Sequence, residues 1–241
     1  KGGLNKFDKS RGAFTHYKHL PGNPNSLSHN SMPTLYDDGK GVLWIPTYGG
    51  GLDRFDKRKE TFTNYRHEAG NPNSLGSNTL YEILETSDGG LWISRKGGIS
   101  QFDPKSGHFK NFDKDEDGVP YGPVGSLLED DKGNLWLGTV GGGLVRFDPK
   151  TGATKRFTVD DGLQSNTFYW TSRLKTKNGE MWFGGSNGIT RFFPSQITQN
   201  PHVPPIVLTA FTQGGEPVST GSSPERLKEI ILNWRNNYFE F

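Results

Sequence analysis

The side chains most able to do chemistry gather in DKDEDG, residues 113–118. Asp113, Asp115 and Asp117 have the spacing of the first ligands of a calcium loop, and a hard cation needs several such oxygens converging on one point. The twelfth position, however, is Val124 where a bidentate glutamate belongs, and Asp117-Gly118-Val119 aligns with Asp161-Gly162-Leu163 further on. The run is therefore a calcium candidate without its closing ligand, and otherwise a polar connection. His16, His19, His29, His67, His108 and His202 are scattered. His19 and His67 recur at one position of a repeat, which favours a structural role over a zinc pair. The chain has no HExxH, GxSxG or Walker motif and no cysteine. No catalytic residue and no cofactor is expected from its motifs.

What remains are side chains carried on turns, and a repeat sets the turns. VLWIPTYGGGLDRFD, LWISRKGGISQFD, LWLGTVGGGLVRFD and MWFGGSNGITRFF follow one another, with Trp44, Trp92, Trp136 and Trp182 spaced 48, 44 and 46 residues apart. Phe55, Phe102, Phe147 and Phe192 close the four copies. A period of that length is one four-stranded propeller blade. The second copy divides into NTLYEIL, LWIS, GISQF and HFKNF, separated by SDGG, RKGG and DPKSG. These separators are turns because glycine reaches positive φ without steric cost, aspartate bonds to its own backbone and proline presets φ. The tryptophan should fill the space between neighbouring sheets. Asp56, Asp103 and Asp148 should organise the turn after the third strand. KGGLNKFDKSRGAFTHY repeats GGGLDRFDKRKETFTNY at an offset of 48, so the chain is expected to open inside a partial blade over residues 1–19.

If the strands A to D of each blade run from the axis outward, the D-to-A loops and the B-to-C turns share one face. Loops on a rigid scaffold are where recognition residues concentrate. The B-to-C turns differ at Tyr48, Arg95, Lys96, Val140 and Asn187, while the glycines around them recur. Tyr48 could stack on a sugar, and Arg95 offers a planar donor fork to hydroxyls or a carboxylate. The D-to-A loops GNPNSLSHN and GNPNSLGSN read mostly as architecture, with Ser28, His29 and Asn30, and Ser77 and Asn78, at their exits as ligand candidates. Tyr121, Asn166 and Tyr169 complete the candidate ligand-binding set. GLQSNTFYWTSRL carries two extra residues, and a bulge there could bring an aromatic to the channel mouth, although core packing is the expectation for Trp170.

The composition agrees with an all-β chain: 33 glycines and 12% aromatics in 241 residues, a mixture suited to short strands and tight turns. A net charge of +2 with interleaved signs gives neither a nucleic-acid groove nor a membrane-binding patch. The expected domains are propeller over 1–199, a proline-rich linker over 200–205 and the start of a second β domain over 206–241. IVLTAF and IILNWRNNYFEF are its expected strands, with GGEPVSTGSSPE as a polar loop. No run approaches the roughly 18 apolar residues of a spanning helix. The amino terminus has no signal-peptide pattern, which is uninformative if the chain opens inside a blade.

Copies such as LEDDKGNLWLGTVGGGLVRFDPKTG resemble the two-component regulator propeller repeat, and the segment from Pro204 to Phe241 is similar to the opening of the immunoglobulin-like domain that commonly follows it. The resemblance implies blades of a seven-bladed propeller on the periplasmic side of a membrane-anchored sensor. It also implies a homodimeric receptor with a small-molecule or oligosaccharide ligand, reaching the membrane only through segments beyond Phe241. A histidine kinase, often a hybrid, is the implied output, with a diguanylate cyclase as the alternative. A propeller polysaccharide lyase or a protein-interaction scaffold are readings of a different class. The fourth copy departs from the pattern, with GGSNGI for TxGGGL and RFF for RFD.

Overall fold

The computed structural model describes residues 2–115, 117–118 and 120–197, and the short segments 212–213, 216–217 and 239–240. The chain divides into two compact units, Lys1–Ile197 and Thr198–Phe241. In the first, β1 (Leu4–Asp8) pairs with β2 (Ala13–Tyr17). Three four-stranded meanders follow: β3 (Tyr36–Asp37), β4 (Val42–Pro46), β5 (Leu52–Asp56) and β6 (Thr61–Tyr65); then β7 (Leu80–Glu85), β8 (Leu91–Arg95), β9 (Gly98–Phe102) and β10 (Phe109–Phe112); then β11 (Val124–Glu129), β12 (Leu135–Thr139), β13 (Leu144–Phe147) and β14 (Thr154–Phe157). The Trp182 copy supplies β15 (Phe168–Lys175), β16 (Met181–Gly185) and β17 (Gly188–Phe192). Every pairing is antiparallel and in chain order, and β7, β11 and β15 lie against one another as innermost strands. Helical structure among the described residues is confined to two short 3-10 turns, Val159–Asp161 and Pro194–Gln196.

The blades are joined by aromatic rings. Trp44 meets Phe102 of the next blade edge-on at 5.2 Å, Trp92 meets Phe147 at 5.6 Å and Trp136 meets Phe192 at 4.7 Å. The outer strand adds a second ring to the same target, Tyr65 on Phe102 at 5.0 Å and Phe112 on Phe147 at 4.9 Å. Phe102 and Phe147 therefore each sit between two aromatics of the preceding blade. Trp92 and Trp136 are buried completely, so truncating either to alanine would forfeit about 3–5 kcal/mol. The aspartate after each phenylalanine closes the turn as expected: Asp56 Oδ1 accepts the Arg58 and Lys59 amides at 3.0 Å, and Asp103 and Asp148 do the same for Lys105 and Lys150 at 2.9 Å.

The last glycine of the B-to-C turn has a stricter reason to be glycine. Gly51 (φ +86°) and Gly143 (φ +77°) are left-handed, and a Cβ on either would fall on the carbonyl of Tyr65 or Phe157 at the end of the outer strand. The outer strand can close onto the turn only because that atom is missing.

In the second unit β18 (Thr212–Gln213) pairs with both β19 (Glu216–Pro217) and β20 (Phe239–Glu240) in the order β19-β18-β20. Glu216 and Pro217, expected in a loop, are in a strand. β19 is an edge strand, where the missing proline N–H breaks no sheet ladder. IVLTAF, residues 200–205 and most of IILNWRNNYFEF lie outside the described residues.

Gly141 is also left-handed, at φ +89°, but a Cβ there would meet nothing within 4 Å. Gly143→Ala is expected to cost roughly 3 kcal/mol in urea unfolding and Gly141→Ala only about 1 kcal/mol. Equal losses would rule out the carbonyl contact as the reason for the glycine.

Candidate functional site

A series of backbone hydrogen bonds builds the rim at one end of the blades. In three blades the first residue after the second strand donates to the residue before the first strand, Lys96 N to Thr79 O at 3.0 Å, Val140 N to Pro123 O at 2.9 Å and Ser186 N to Thr167 O at 3.1 Å, and in the blade before them Tyr48 N donates to Ser31 O at 3.0 Å. Bridges Tyr48↔Thr79 and Val140↔Thr167 carry the series on to the next blade. The B-to-C turns and the D-to-A loops do share one face, and Tyr48, Lys96, Val140 and Ser186 are its equivalent rim positions.

The loops behind the rim are locked by their own side chains. Ser26 Oγ lies within hydrogen-bond distance of three loop carbonyls and Ser74 Oγ of two, each also accepting one amide, and Asn23 and Asn71 Oδ1 accept the amide two residues on. His19 and His67 Nδ1 lie 2.9 and 2.8 Å from the carbonyls of Leu27 and Leu75, which are fully buried. Asn30, Asn78 and Asn166, read from sequence as ligand contacts, turn back into the loop: their Oδ1 atoms accept the amides of His19, His67 and Val159 at 2.8, 2.8 and 2.9 Å. Their carbonyls accept from Gly3, Gly51 and Gly143 of the preceding blade. The recurrence of asparagine reflects this stitching.

Arg95 also lies elsewhere than expected. It is 2% exposed, with Nε donating to Ser100 Oγ at 2.8 Å, Nη2 to Ile99 O at 3.3 Å, and an ion pair to Asp113. Counted from the tryptophan, Arg95 stands at the inward position of Thr47 and Lys96 at the rim position of Tyr48. Gly76 is what makes room, since a Cβ there would strike the guanidinium. In the neighbouring blade Ser28 fills that space. It donates through its amide and hydroxyl to Asp53 at 2.9 and 3.0 Å, and Asn64 Nδ2 reaches Asp53 from the outer strand at 2.6 Å. The difference between SHN and GSN is thus a difference in which polar group is sealed beneath the loop.

The acidic run resolves in the same way. Asp113 pairs with Arg95, whereas Asp115 pairs at 2.9 Å with Arg156, whose Nη1 also donates to Gly142 O at 2.6 Å. The carboxylates diverge toward guanidiniums of two blades, the reverse of converging on a cation, and Asp117 joins neither pair. No metal-holding group of three or more such side chains occurs among the described residues. Tyr121 is buried in the core with Val124 and Leu137. His29 is half-buried with Nδ1 turned to Ser31, and Asn187 is exposed with Nδ2 3.4 Å from Gln164 O.

What the rim does present is aromatic. Tyr48 is 39% exposed, and its ring lies 6.1 Å from Tyr81, which in turn meets Trp170 edge-on at 5.5 Å. Trp170 is 40% exposed and Tyr169 46%. Core packing was the expectation for Trp170, but the register between β15 and β16 jumps from Phe168↔Gly185 to Arg173↔Phe183. The extra residues loop out between these points and carry Trp170 out of the sheet. Tyr81 sits on a smaller bulge of β7, between Leu80↔Arg95 and Glu82↔Ser94. The two-residue insertion in GLQSNTFYWTSRL was the sequence signal for Trp170; nothing in the sequence marked Tyr81.

Residues 118–141 match the family model of the two component regulator propeller. Histidine kinase P4 of Formosa agariphila is 32% identical over 138 residues, which is 54% of this chain and 10% of that protein. The extracellular domain of BT3049 from B. thetaiotaomicron, assigned to the hybrid two component systems, superposes over 82% of this chain and 27% of its own with a TM-score of 0.71 and 27% identity. These are β-propeller blades. The extracellular domain of BT4673 from the same organism shares the fold at a TM-score of 0.55 and 22% identity, covering 95% of this chain and 36% of its own. The chain thus spans about a third or less of the extracellular domains it matches and a tenth of the kinase.

Burial pushes the Asp53 carboxyl up to about 6 from an ordinary 3.8, against the bonds from Ser28 and Asn64. A folded-state value above the unfolded one means that its contribution to stability is complete below about pH 4 and is lost as pH rises through about 6. Between those limits the native chain should lose roughly 3 kcal/mol relative to Asp53→Asn in urea unfolding. Parallel pH profiles for the two would refute this.

Proposed function

We propose that this chain is the extracytoplasmic ligand-sensing region of a membrane-anchored two-component sensor of the hybrid histidine kinase type, and that it takes an oligosaccharide at the rim of the channel. The observation that carries the reading is the 27% identity to the BT3049 extracellular domain across 82% of the chain, supported by the kinase match. The periplasmic location, a homodimeric receptor and an immunoglobulin-like continuation of the second unit belong to the same reading. The rim suits such a ligand because Tyr48, Tyr81 and Trp170 form a run of rings whose two ends are open to solvent. Rings of this kind cover the apolar face of a sugar and leave its hydroxyls to water and to polar neighbours. Lys96 and Asn187 are the exposed polar candidates of the B-to-C turns.

Signalling then requires that the ligand bind one arrangement of the rigid domains better than another, since equal affinity for both would shift nothing. Calorimetric titration of the chain with pools of neutral and of uronate oligosaccharides tests the reading. Tyr48→Ala and Trp170→Ala should each weaken binding by about tenfold, near 1.4 kcal/mol, with the thermal midpoint unchanged. A flat response to all pools argues for a protein partner at this face, and appearance of unsaturated sugar absorbance with the uronates argues for a lyase.

A further inference from the structure

Two positions of the inner strands depart from the repeat together. Opposite the second strand, Glu82 faces Ser94 where Ser126 faces Gly138, and Ser172 packs on Gly184 at the equivalent place. One residue on, Arg173 pairs with Phe183 where Ile83 pairs with Ile93 and Leu127 with Leu137. A carboxylate thus replaces a serine in one blade, and a guanidinium replaces a core aliphatic two blades later. These two exceptions meet. Glu82 and Arg173 form an ion pair between β7 and β15, and Glu82 Oε2 accepts the Leu127 amide at 2.9 Å. Three inner strands are joined at one carboxylate that is 1% exposed.

β7 and β15 touch a second time through the rings of Tyr81 and Trp170. On β7 the two contact residues are adjacent, while on β15 they are separated by Thr171 and Ser172 of the bulge. Thr171 has φ 55°, a left-handed conformation that a β-branched residue holds only when its surroundings impose it. The upstream foot of the bulge is Phe168, fully buried with its ring on Phe183. The middle lies on Gly125 of β11, where a Cβ would stand 3.3 Å from Trp170 N and from the Tyr169 carbonyl carbon. The downstream foot is Arg173, which has no aliphatic side chain to bury there.

We infer that the Glu82–Arg173 pair is the downstream anchor of this bulge, and that both are positioning residues that hold Trp170 against Tyr81 at the channel mouth. An aliphatic at position 173 would pack equally well with the bulge collapsed toward the sheet, whereas an ion pair is satisfied only where its partner lies. The anchor therefore selects the one arrangement of the strained loop that presents the indole. Its relevance to recognition rests on the proposed reading of the rim; its effect on Trp170 does not.

Trp170 is one of six tryptophans, so its signal is isolated as the fluorescence difference between each chain and its Trp170→Phe counterpart. The main variant is Glu82→Gln with Arg173→Met, which removes both charges and leaves neither unpaired in the interior. Acrylamide quenching of the Trp170 difference signal should at least double and its emission shift to longer wavelength, while Arg173→Lys, which keeps the charge, should stay near the native value. A merely stabilising pair would lower the thermal midpoint of the double variant and leave the Trp170 signal alone; that result overturns the inference. Should the double variant not fold, Arg173→Met against Arg173→Lys carries the same comparison, and equal quenching in the two is again fatal to it. Oligosaccharide titration of the same variants separates the two claims: Trp170 released with affinity unchanged refutes recognition at the rim and leaves the anchor standing.

Discussion

A four-stranded meander cannot bury both of its faces by itself, and the rest of this structure depends on how consecutive blades cover one another. The cover is specific in place. A third-strand phenylalanine projects toward the preceding blade and is held there by a second-strand tryptophan and an outer-strand aromatic, as with Phe102 between Trp44 and Tyr65 and Phe147 between Trp92 and Phe112. Offset and edge-on rings gain attraction beyond the area they bury. The period of the chain follows, because a blade whose tryptophan and phenylalanine were shifted by one residue would point them to opposite faces.

Within that frame the polar residues that vary between blades do a related task. Asp53 with Ser28 and Asn64, Arg95 with Asp113, and Arg156 with Asp115 each join a loop or turn to a strand beneath the rim. A buried polar group must be hydrogen-bonded or it costs more than it gives, so each of these sites comes as a matched set: Gly76 where Arg95 needs space, Ser28 where Asp53 needs donors. Variation at these positions reports on which partners are sealed together rather than on ligand contact. The open part of the rim is left to aromatic rings and to a few polar turn residues.

Recognition at the rim, as proposed, gives this division a use. A rigid stack with a locked set of loops can present a small number of exposed groups without rearranging. Tyr48 is held on the rim by its amide and by its bridge to Thr79. Trp170 is the exception, because it rides on a bulge whose backbone is strained and whose neighbours on β7 and β11 must hold it.

Strand boundaries, blade period and the turn-closing aspartates were legible in the amino-acid sequence, because each depends on chemistry within a few residues: glycine at positive φ, aspartate bonding its own turn, aromatics at a fixed offset. The architectural reading of GNPNSL was legible for the same reason, as its bonds are local. The choice between neighbouring turn residues was not. Arg95 and Lys96 are adjacent, and only the packing of Gly76 and Asp113 decides that the first is buried and the second faces solvent. Asn30, Asn78 and Asn166 look like free amides until the loop folds back on them. Trp170 and the Glu82–Arg173 pair depend on residues of separate blades meeting, a distance relation that no pattern along one blade encodes.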